Sequence, residues 1–490
     1  MTDIVRVEHG RYHDSVTLMR AGAAAAGTPG VETVIAAMAT PLNRGLVARA
    51  GFPEPDAGPD DLVIAVRAAT GADAEAAVVA VERLLAGRPG SGGGTGARTP
   101  PHTVEAAVAE APEAPVVLVS VPGPHAYVEA AAALRSGRHV MVFSDGVEVG
   151  AEVALKREAA ERGRLVMGPD CGTVILGGVG LGFANVVVPG PVGLVAASGT
   201  GAQQLCGLLD GAGIGVRHVV GVGGRDLSAA VGGRSALAAL AALDADPDVG
   251  VIALVSKPPA PEVADAVATA ARGCRTPVVL AFVGPGRPTL TDAAAEIAAA
   301  LGAPFAEPAA WTASPPPGGV RGPLLGLFSG GTNCVEALAV VEEHLGPVCS
   351  NVHHDPDRRI GPDLGPDGAH VLLDLGDDEL TAGRPHPMID PAAVADRLAA
   401  AASVGRTGAV LLDVVLGHGA HPDPAAVVAP AVGAATAAGA AAVVALVGTA
   451  GDPQGLERQA AALSEAGASV HRSTARAATR AAHLLTGTQA

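Results

Sequence analysis

The stretch VGLVAASGTGAQQLCGLL (residues 192–209) decides the fold class of this chain. Its first six residues form a continuous apolar run, which predicts a buried strand. Ser198, Gly199 and Thr200 follow, and three leucines at helical spacing come next. A strand that passes through a small-residue loop into a helix presents backbone N–H groups where an anion can bind. The stretch therefore predicts an α/β protein with a phosphate or carboxylate site at this loop.

Short apolar runs alternate with alanine-rich helical segments along the rest of the chain. Continuous apolar strands separated by helices are typical of parallel sheets that are covered on both faces. We therefore predict an α/β architecture throughout. The runs are residues 62–66, 116–119, 139–143, 192–197, 251–255, 278–282, 324–328, 371–375, 410–416 and 443–447.

Composition narrows the class of partner. The net charge of −17 and the lack of basic patches with interleaved aromatic residues disfavour nucleic acid and acidic membrane surfaces. No apolar run reaches the roughly 20 residues of a membrane span, and the charged N-terminus has no signal-peptide pattern. Five cysteines without a paired motif fit a reducing compartment. We expect a soluble cytoplasmic protein whose partner is a small anionic substrate.

Length and two changes in composition predict three domains. A chain of 490 residues exceeds what one core usually organises. Glycine- and proline-rich stretches at residues 88–102 and 311–323 have the composition of linkers. We expect a Rossmann-like domain over residues 1–165, with a Gly/Pro-rich insertion near 88–115. Two flavodoxin-like domains should follow, over residues 166–310 and 320–490.

The last two domains repeat the same motifs in the same order. GLVAASGTGAQQL is paired with GLFSGGTNCVEAL, GVGGRDLS with DLGDDELT, VIALVSKPP with AVLLDVVLG, and VVLAFVGPG with VVALVGTAG. In such sheets ligands collect at the carboxyl ends of the strands. We therefore predict two helix N-termini that face one anion. The second is formed by Ser329, Gly330, Gly331, Thr332 and Asn333.

These motifs carry a family resemblance. VSVPGPHAYVEAA, MGPDCGT, PGPVGLVAASGT and DPDVGVIALV resemble the α subunit of succinyl-CoA synthetase, and residues 320 onward are similar to the ligase domain of its β subunit. The combination of HDSVTLM, MATPLNRGL, GGRDLS, SKPP, FSGGTNC and GRPHPMIDP resembles the FdrA family, often labelled acyl-CoA synthetase. The resemblance implies a CoA-binding-type N-terminal domain, two ligase-type domains, coenzyme A as a possible cofactor and possible companion subunits.

The chain also departs from succinyl-CoA synthetase. The stretch FVGPGRPTLTDAAAEIAAAL lacks the histidine through which those enzymes pass phosphate, and Lys257 stands where they have a supporting glutamate. The ATP-grasp domain is absent, and GRYHDSVTL (residues 10–18) stands in place of the usual GxTGxxG coenzyme A loop. We therefore predict that this chain alone does not use ATP.

Lys257 is the strongest catalytic candidate. It shares its residue type only with Lys156, because every other basic side chain among 32 is arginine. Beside two helix N-termini, an ammonium would strengthen binding of an acyl phosphate or carboxylate. The alternative is a surface lysine after an edge strand. Ser198, Thr200 and the residues Ser329 and Thr332 have an alternative role as ordinary N-caps.

Two further loops supply candidates. In GVGGRDLS, Gly223 and Gly224 allow close approach and Arg225 suits a carboxylate or phosphate, although a tight turn with an Arg225–Asp226 pair is the alternative. In GPDCGT, the sequence offers Asp170 and Cys171. A buried structural role is favoured for Cys171, since a thiolate would need a neighbouring base or cation.

The last domain carries the remaining candidates. Arg384 and His386 lie in the proline-framed loop GRPHPMIDP, where His386 is the best general acid or base, with a loop-capping histidine as the alternative. Asp413 ends a buried strand. The histidines at 353, 354, 386, 418 and 421 match no metal-ligand spacing, so no metal site is predicted.

Three functions remain open on the sequence. The first is transfer of a carbamoyl group between carbamoyl phosphate and a small carboxylate-bearing amide such as oxamate, an activity that the FdrA resemblance implies in ureide catabolism. It requires neither the relay histidine nor ATP-grasp. The second is an acyl-CoA synthetase, that is, an acid–thiol ligase. The third is a non-catalytic subunit that binds a metabolite for a larger enzyme.

Overall fold

The computed structural model describes residues 1–13, 15–86, 101–313, 319–361, 368–381 and 385–487. The chain divides into two compact units. Unit 1 comprises Met1–His102 and Thr381–Pro385, and unit 2 comprises Thr103–Leu380 and His386–Ala490. No helix among the described residues is both long and apolar enough to cross a membrane.

Unit 1 is built on a small antiparallel sheet. Its elements are β1 (Thr2–Glu8), α1 (Ser15–Ala26), β2 (Val31–Met38), α2 (Pro41–Arg49), β3 (Leu62–Ala68) and α3 (Gly71–Ala86). The strand order is β1-β3-β2, and both pairings are antiparallel. Leu18, Ile64 and Val78 lie in its buried core. This sheet differs from the Rossmann-like domain that we expected over residues 1–165, and much of the expected insertion falls on residues 87–100, outside the described residues.

Unit 2 begins with a short parallel sheet. The elements are α4 (Val104–Glu110), β4 (Val116–Val119), α5 (Gly123–Arg135), β5 (His139–Val142), α6 (Val149–Glu161) and β6 (Val166–Met167). The strands lie in the order β4-β5-β6. The parallel βαβ pattern of the predicted first domain is therefore confined to residues after His102, because the strands before it pair antiparallel.

The first flavodoxin-like half of unit 2 follows. It contains β7 (Thr173–Leu176), β8 (Val179–Gly182), β9 (Val192–Ala196), α7 (Gly199–Gly211), β10 (Val216–Gly221), α8 (Arg234–Ala245), β11 (Val251–Ser256), α9 (Pro261–Gly273), β12 (Val278–Phe282) and α10 (Leu290–Ala300). The strand order is β12-β11-β9-β10-β7-β8. Strands β9 and β11 are buried along their whole length, as expected for central parallel strands.

The second half has a closely similar order. Its elements are β13 (Ala310–Trp311), β14 (Leu324–Phe328), α11 (Gly331–Leu345), β15 (Val348–Ser350), the 3-10 turn η1 (Pro356–Arg358), β16 (His370–Asp374), α12 (Asp378–Thr381), α13 (Ala392–Val404), β17 (Ala409–Val415), α14 (Pro424–Ala437), β18 (Ala441–Val447), α15 (Leu456–Glu465), β19 (Ala468–His471) and α16 (Thr474–Thr486). The strands lie in the order β13-β19-β18-β17-β14-β16-β15.

The two orders confirm the duplication. In the first half β9 lies between β10 and β11, with β12 beyond β11. In the second half β14 lies between β16 and β17, with β18 beyond β17, and the short strand β15 is added at the edge beside β16. This is the flavodoxin-like order with its switch point beside the first strand. The predicted α/β fold class is confirmed. The loops SGT and SGGT therefore occupy equivalent positions.

The two halves share a polar, closely packed interface. The Gln204 side chain in α7 donates to the Arg472 carbonyl and accepts from the Thr474 hydroxyl, both at the carboxyl edge of the second half. The Glu336 carboxylate in α11 accepts from the backbone N–H of Leu290, the first residue of α10. Helices α7, α10 and α11 therefore hold the two repeated sheets against each other.

Candidate active site

The N-termini of α7 and α11 lie in direct contact. Ser198 is the N-cap of α7, and its Oγ accepts from the Gly201 backbone N–H at 2.9 Å. The same hydroxyl donates to Thr332 Oγ1 in the first turn of α11 at 2.7 Å. Helix α11 begins after Gly330, and no side chain caps it. The predicted convergence of two helix N-termini is therefore present, and α11 offers the uncapped one.

The small residues of the SGGT loop allow this contact. A Cβ on Gly330 would overlap the buried side chain of Thr200. Ser329 is not an N-cap, because Gly330 holds that position, and Thr200 and Thr332 lie inside their helices. Of the four predicted capping residues, Ser198 alone caps a helix.

Lys257 lies beside the start of α11. It follows β11, at the carboxyl edge of the first sheet, and it is exposed. Its Nζ is 3.5 Å from the position that a Cβ on Gly331 would take. It makes no hydrogen bond or ion pair with any part of the chain that the structure describes. An unpaired ammonium therefore lies next to an uncapped helix N-terminus.

Asp374 is a site residue that the sequence analysis missed. It ends β16 and is buried, and its Oδ1 accepts from the Gly376 N–H at 2.9 Å. Its Oδ2 is 2.9 Å from the Cβ position of Gly331. Burial raises the pKa of Asp374 to about 7, although the Gly376 hydrogen bond and Lys257 oppose the shift. An acidic residue at the end of the strand next to β14 was the signal available in the sequence.

Asp413 organises the SGGT loop. One oxygen accepts from the Ser329 N–H at 2.6 Å and the other from Asn333 Nδ2 at 3.2 Å. Burial raises its pKa to about 6 despite these hydrogen bonds. The Asn333 side chain donates to Asp413 through Nδ2, and its buried Oδ1 has no hydrogen-bond partner among the described residues.

His386 lies at the edge of the same site. Its Nε2 is 2.7 Å from the Cβ position of Gly376, which neighbours Asp374 Oδ1. Burial lowers the pKa of His386 to about 4, so the ring is neutral at pH 7. Nδ1 accepts from the Met388 N–H at 3.2 Å, which leaves the proton on Nε2. His386 is therefore a neutral hydrogen-bond donor to the site. Arg384, its predicted neighbour, lies outside the described residues.

In the GVGGRDLS loop, the alternative of a tight turn with an Arg225–Asp226 pair is wrong. Arg225 does not pair with Asp226. It pairs with Glu152 Oε2 at 3.0 Å and donates to the Val147 carbonyl at 2.7 Å. Asp226 is fully buried, accepts from two N–H groups at the start of α8, and pairs with Lys156 at 2.7 Å. Asp226 is therefore a structural residue and not a ligand-binding one.

The glycines of this loop serve packing as well. Gly223 has a φ of +87°, and a Cβ there would overlap the Pro169 carbonyl oxygen. It is therefore required where the loop contacts the GPDCGT segment. Gly224 is less constrained, since its Cβ would lie 3.5 Å from Asp170 Oδ2.

Asp170 and Cys171 have different environments. Asp170 has a φ of +53°, which is uncommon outside glycine, and it is exposed. Desolvation by the surrounding protein raises the pKa of Asp170 to about 7, and the negative charges of Asp378 and Asp145 add to this shift. The positive charges of Arg225 and Lys257 oppose it. Cys171 is buried, and burial raises its pKa to about 12. Cys171 is therefore a packing residue, as the sequence favoured.

Three family models match the chain. They are described as "AllF, heavy metal-associated domain" over residues 1–101, "CoA binding domain" over residues 189–284 and "CoA-ligase" over residues 327–484. The two CoA-related matches cover the two flavodoxin-like halves. The CoA-binding match therefore lies in the first half, not in residues 1–165 where we expected that domain. Fold and matches together define a protein of the CoA-binding and CoA-ligase class.

Individual relatives narrow this class. The chain is 39% identical over 439 residues to the uncharacterized protein YahF of Escherichia coli, covering 84% of each. It is therefore a member of the FdrA family, to which YahF is similar. It is also 29% identical over 200 residues to the α subunit of a malate–CoA ligase of Methylorubrum extorquens, a match that spans 39% of this chain and 66% of the subunit.

A solved structure of a dinucleotide-forming acetyl-coenzyme A synthetase from Ca. Korarchaeum cryptofilum also matches, with phosphate and ADP bound. The match covers 76% of this chain and 85% of that one, at 17% identity and a TM-score of 0.28. At that score the likeness carries no argument about function.

The name of the first matched model refers to heavy metals, and the residues present do not fit one. Soft metal ions select thiolate ligands, and residues 1–102 contain no cysteine. Within the described ranges, no group of three or more His, Cys, Asp or Glu side chains is placed to hold an ion. No step is therefore assigned to a metal.

Proposed function

We propose that this chain binds an acyl phosphate where α7 and α11 meet and transfers the acyl group to a small acceptor. The donor is carbamoyl phosphate, and the acceptor is a small carboxylate-bearing amide such as oxamate. The observation that carries this proposal is Lys257, exposed and unpaired within the described residues, next to the uncapped N-terminus of α11.

Each group at this point suits a phosphate dianion. The start of α11 supplies backbone N–H groups of Gly331 and Thr332 and about half a positive charge from the helix dipole. Lys257 adds a full charge. His386 adds an N–H donor without requiring protonation of the ring. None of these roles depends on the phosphohistidine or the ATP-grasp domain that the chain lacks.

The transfer itself needs one proton acceptor. The amide nitrogen of the acceptor forms a bond to the acyl carbon, and the bond from that carbon to the bridging phosphate oxygen breaks. Phosphate leaves with the bonding electron pair, while the nitrogen loses one proton. Asp374 takes this proton in its carboxylate form and passes it to the departing phosphate, a role that its pKa of about 7 suits. Lys257 stabilises the negative charge that develops on the phosphate.

An acyl-CoA ligase is the second candidate. The CoA-binding and CoA-ligase matches over the two halves support it. In this alternative the thiolate of coenzyme A attacks the acyl carbon in place of the amide nitrogen. Both reactions use the same phosphate-binding position at the start of α11 beside Lys257, so the acceptor distinguishes them.

Calorimetric titration of the full chain with carbamoyl phosphate and with coenzyme A separates the candidates. We expect carbamoyl phosphate to bind and coenzyme A not to bind, because the proposed transfer uses an amide acceptor and needs no thiol. Binding of coenzyme A would favour the ligase. If neither compound binds, the proposed function is wrong.

Binding should depend on pH through Asp374. A carboxylate beside a bound dianion repels it, so affinity should fall as Asp374 ionises above its pKa of about 7. Titration of this single group predicts that the binding affinity falls about tenfold between pH 6 and pH 8. Asp374→Asn should remove this loss, whereas exposed Asp265→Asn on α9 should retain it. An unchanged pH profile in Asp374→Asn would exclude this role.

A further inference from the structure

A small cavity lies at the carboxyl ends of β14 and β17, beside the start of α11. Its volume is about 10 Å³. A single water molecule needs roughly 10–15 Å³ by the same measure, so the cavity has room for about one non-hydrogen atom. Its walls include Ser329, Met388, Pro391, Val394, Asp413 and Val415.

This cavity adjoins the proposed phosphate-binding position at the start of α11. Ser329 lines the cavity and directly precedes Gly330, the N-cap of α11. A phosphate at the start of α11 would therefore place its acyl substituent next to the cavity. We infer that the cavity receives the substituent on the acyl carbon and restricts the donor to acyl phosphates that carry one non-hydrogen atom there. The inference rests on the proposed function, because that function locates the phosphate.

The cavity walls resist enlargement. Met388, Val394 and Val415 are 8%, 3% and 3% exposed. Val394 belongs to the core between α13 and the second sheet, and Val415 packs with Phe183 and Met388. A longer substituent would have to displace packed side chains, which protein cores tolerate poorly.

The polar part of the wall distinguishes an amino group from a methyl group. Asp413 lines the cavity and keeps lone pairs beyond those used by Ser329 and Asn333. An amino substituent donates to such an oxygen, whereas a methyl group leaves it without a partner. The geometry therefore favours a carbamoyl group over an acetyl group, and both over longer acyl chains.

The test uses analogues that do not hydrolyse, in which the acyl carbon is bonded directly to phosphorus: carbamoylphosphonate, acetylphosphonate and butyrylphosphonate. Their affinities for the full chain are measured by calorimetry, with inorganic phosphate as a probe of the phosphate-binding position. We expect carbamoylphosphonate to bind most tightly and butyrylphosphonate at least ~30-fold more weakly, within the range that misfitting methylenes cause. Equal affinity for all three would overturn the inference and leave the proposed function standing. Failure of all four compounds to bind would overturn the proposed function itself.

A variant links any size selection to the cavity. Val394→Ala should bring butyrylphosphonate to within ~5-fold of acetylphosphonate, because it removes two methyl groups from the wall. Val444→Ala makes the same change at a buried position of β18 outside the cavity lining. It should preserve the wild-type order of affinities for the three phosphonates. Retention of the order in a folded Val394→Ala protein would contradict the inference.

Discussion

Replacement of Lys156 by methionine is expected to lower the stability of unit 2 by about 3–5 kcal/mol, the cost of breaking a buried ion pair from one side. Lys156 is 1% exposed at its side chain and pairs with Glu152 and Asp226, both at 2.7 Å. It also donates to the Val222 carbonyl at 3.0 Å. Methionine fills a similar volume but leaves the buried carboxylate of Asp226 without its cation and that of Glu152 with Arg225 alone.

Thermal unfolding provides the measurement. A loss of this size lowers the melting temperature by roughly 2–4 °C per kcal/mol in a domain of 150–250 residues, and by less in a larger unit such as unit 2. Arg157→Met is the matched control, since Arg157 is the next residue of α6 but is exposed. It should change stability by less than about 0.5 kcal/mol. Equal melting temperatures for the two variants would show that the buried cluster contributes no net stability.

Replacement of Lys257 by alanine is expected to weaken binding of phosphate ligands roughly 10- to 100-fold, since it removes the full positive charge next to α11. The melting temperature should barely change, because the side chain is exposed and has no partner within the described residues. Calorimetry with carbamoyl phosphate measures the first effect and thermal unfolding the second.

Two variants control for net charge. Lys257→Arg retains the charge and should keep most of the affinity. Arg272→Ala removes an exposed charge near the end of α9, at the opposite edge of the sheet from the strand ends that carry the site, and should bind like the wild type. Unchanged affinity in Lys257→Ala would show that Lys257 does not contribute to phosphate binding.

The sequence predicted the contact between the two helix N-termini better than it predicted the groups around them. Ser198 and Thr332 were identified because a glycine-rich loop between an apolar run and a helix has a local signature. Asp374 was missed, because its importance comes from its position opposite Gly331, 43 residues earlier in the chain. For Arg225 and Asp226, a local pair was one of the two alternatives that the sequence left open. In the structure each pairs with a residue of α6, more than 60 residues away.

The sequence by itself determined the repeated α/β halves, because the periods of buried strands and helices and the duplicated motifs are properties of short segments. It also predicted that the N-termini of α7 and α11 converge. The tertiary structure alone decided the boundary of the N-terminal unit, since pairing direction in β1, β2 and β3 depends on long-range contacts. It also decided the protonation states of Asp374 and His386, because burial is a property of the packed chain.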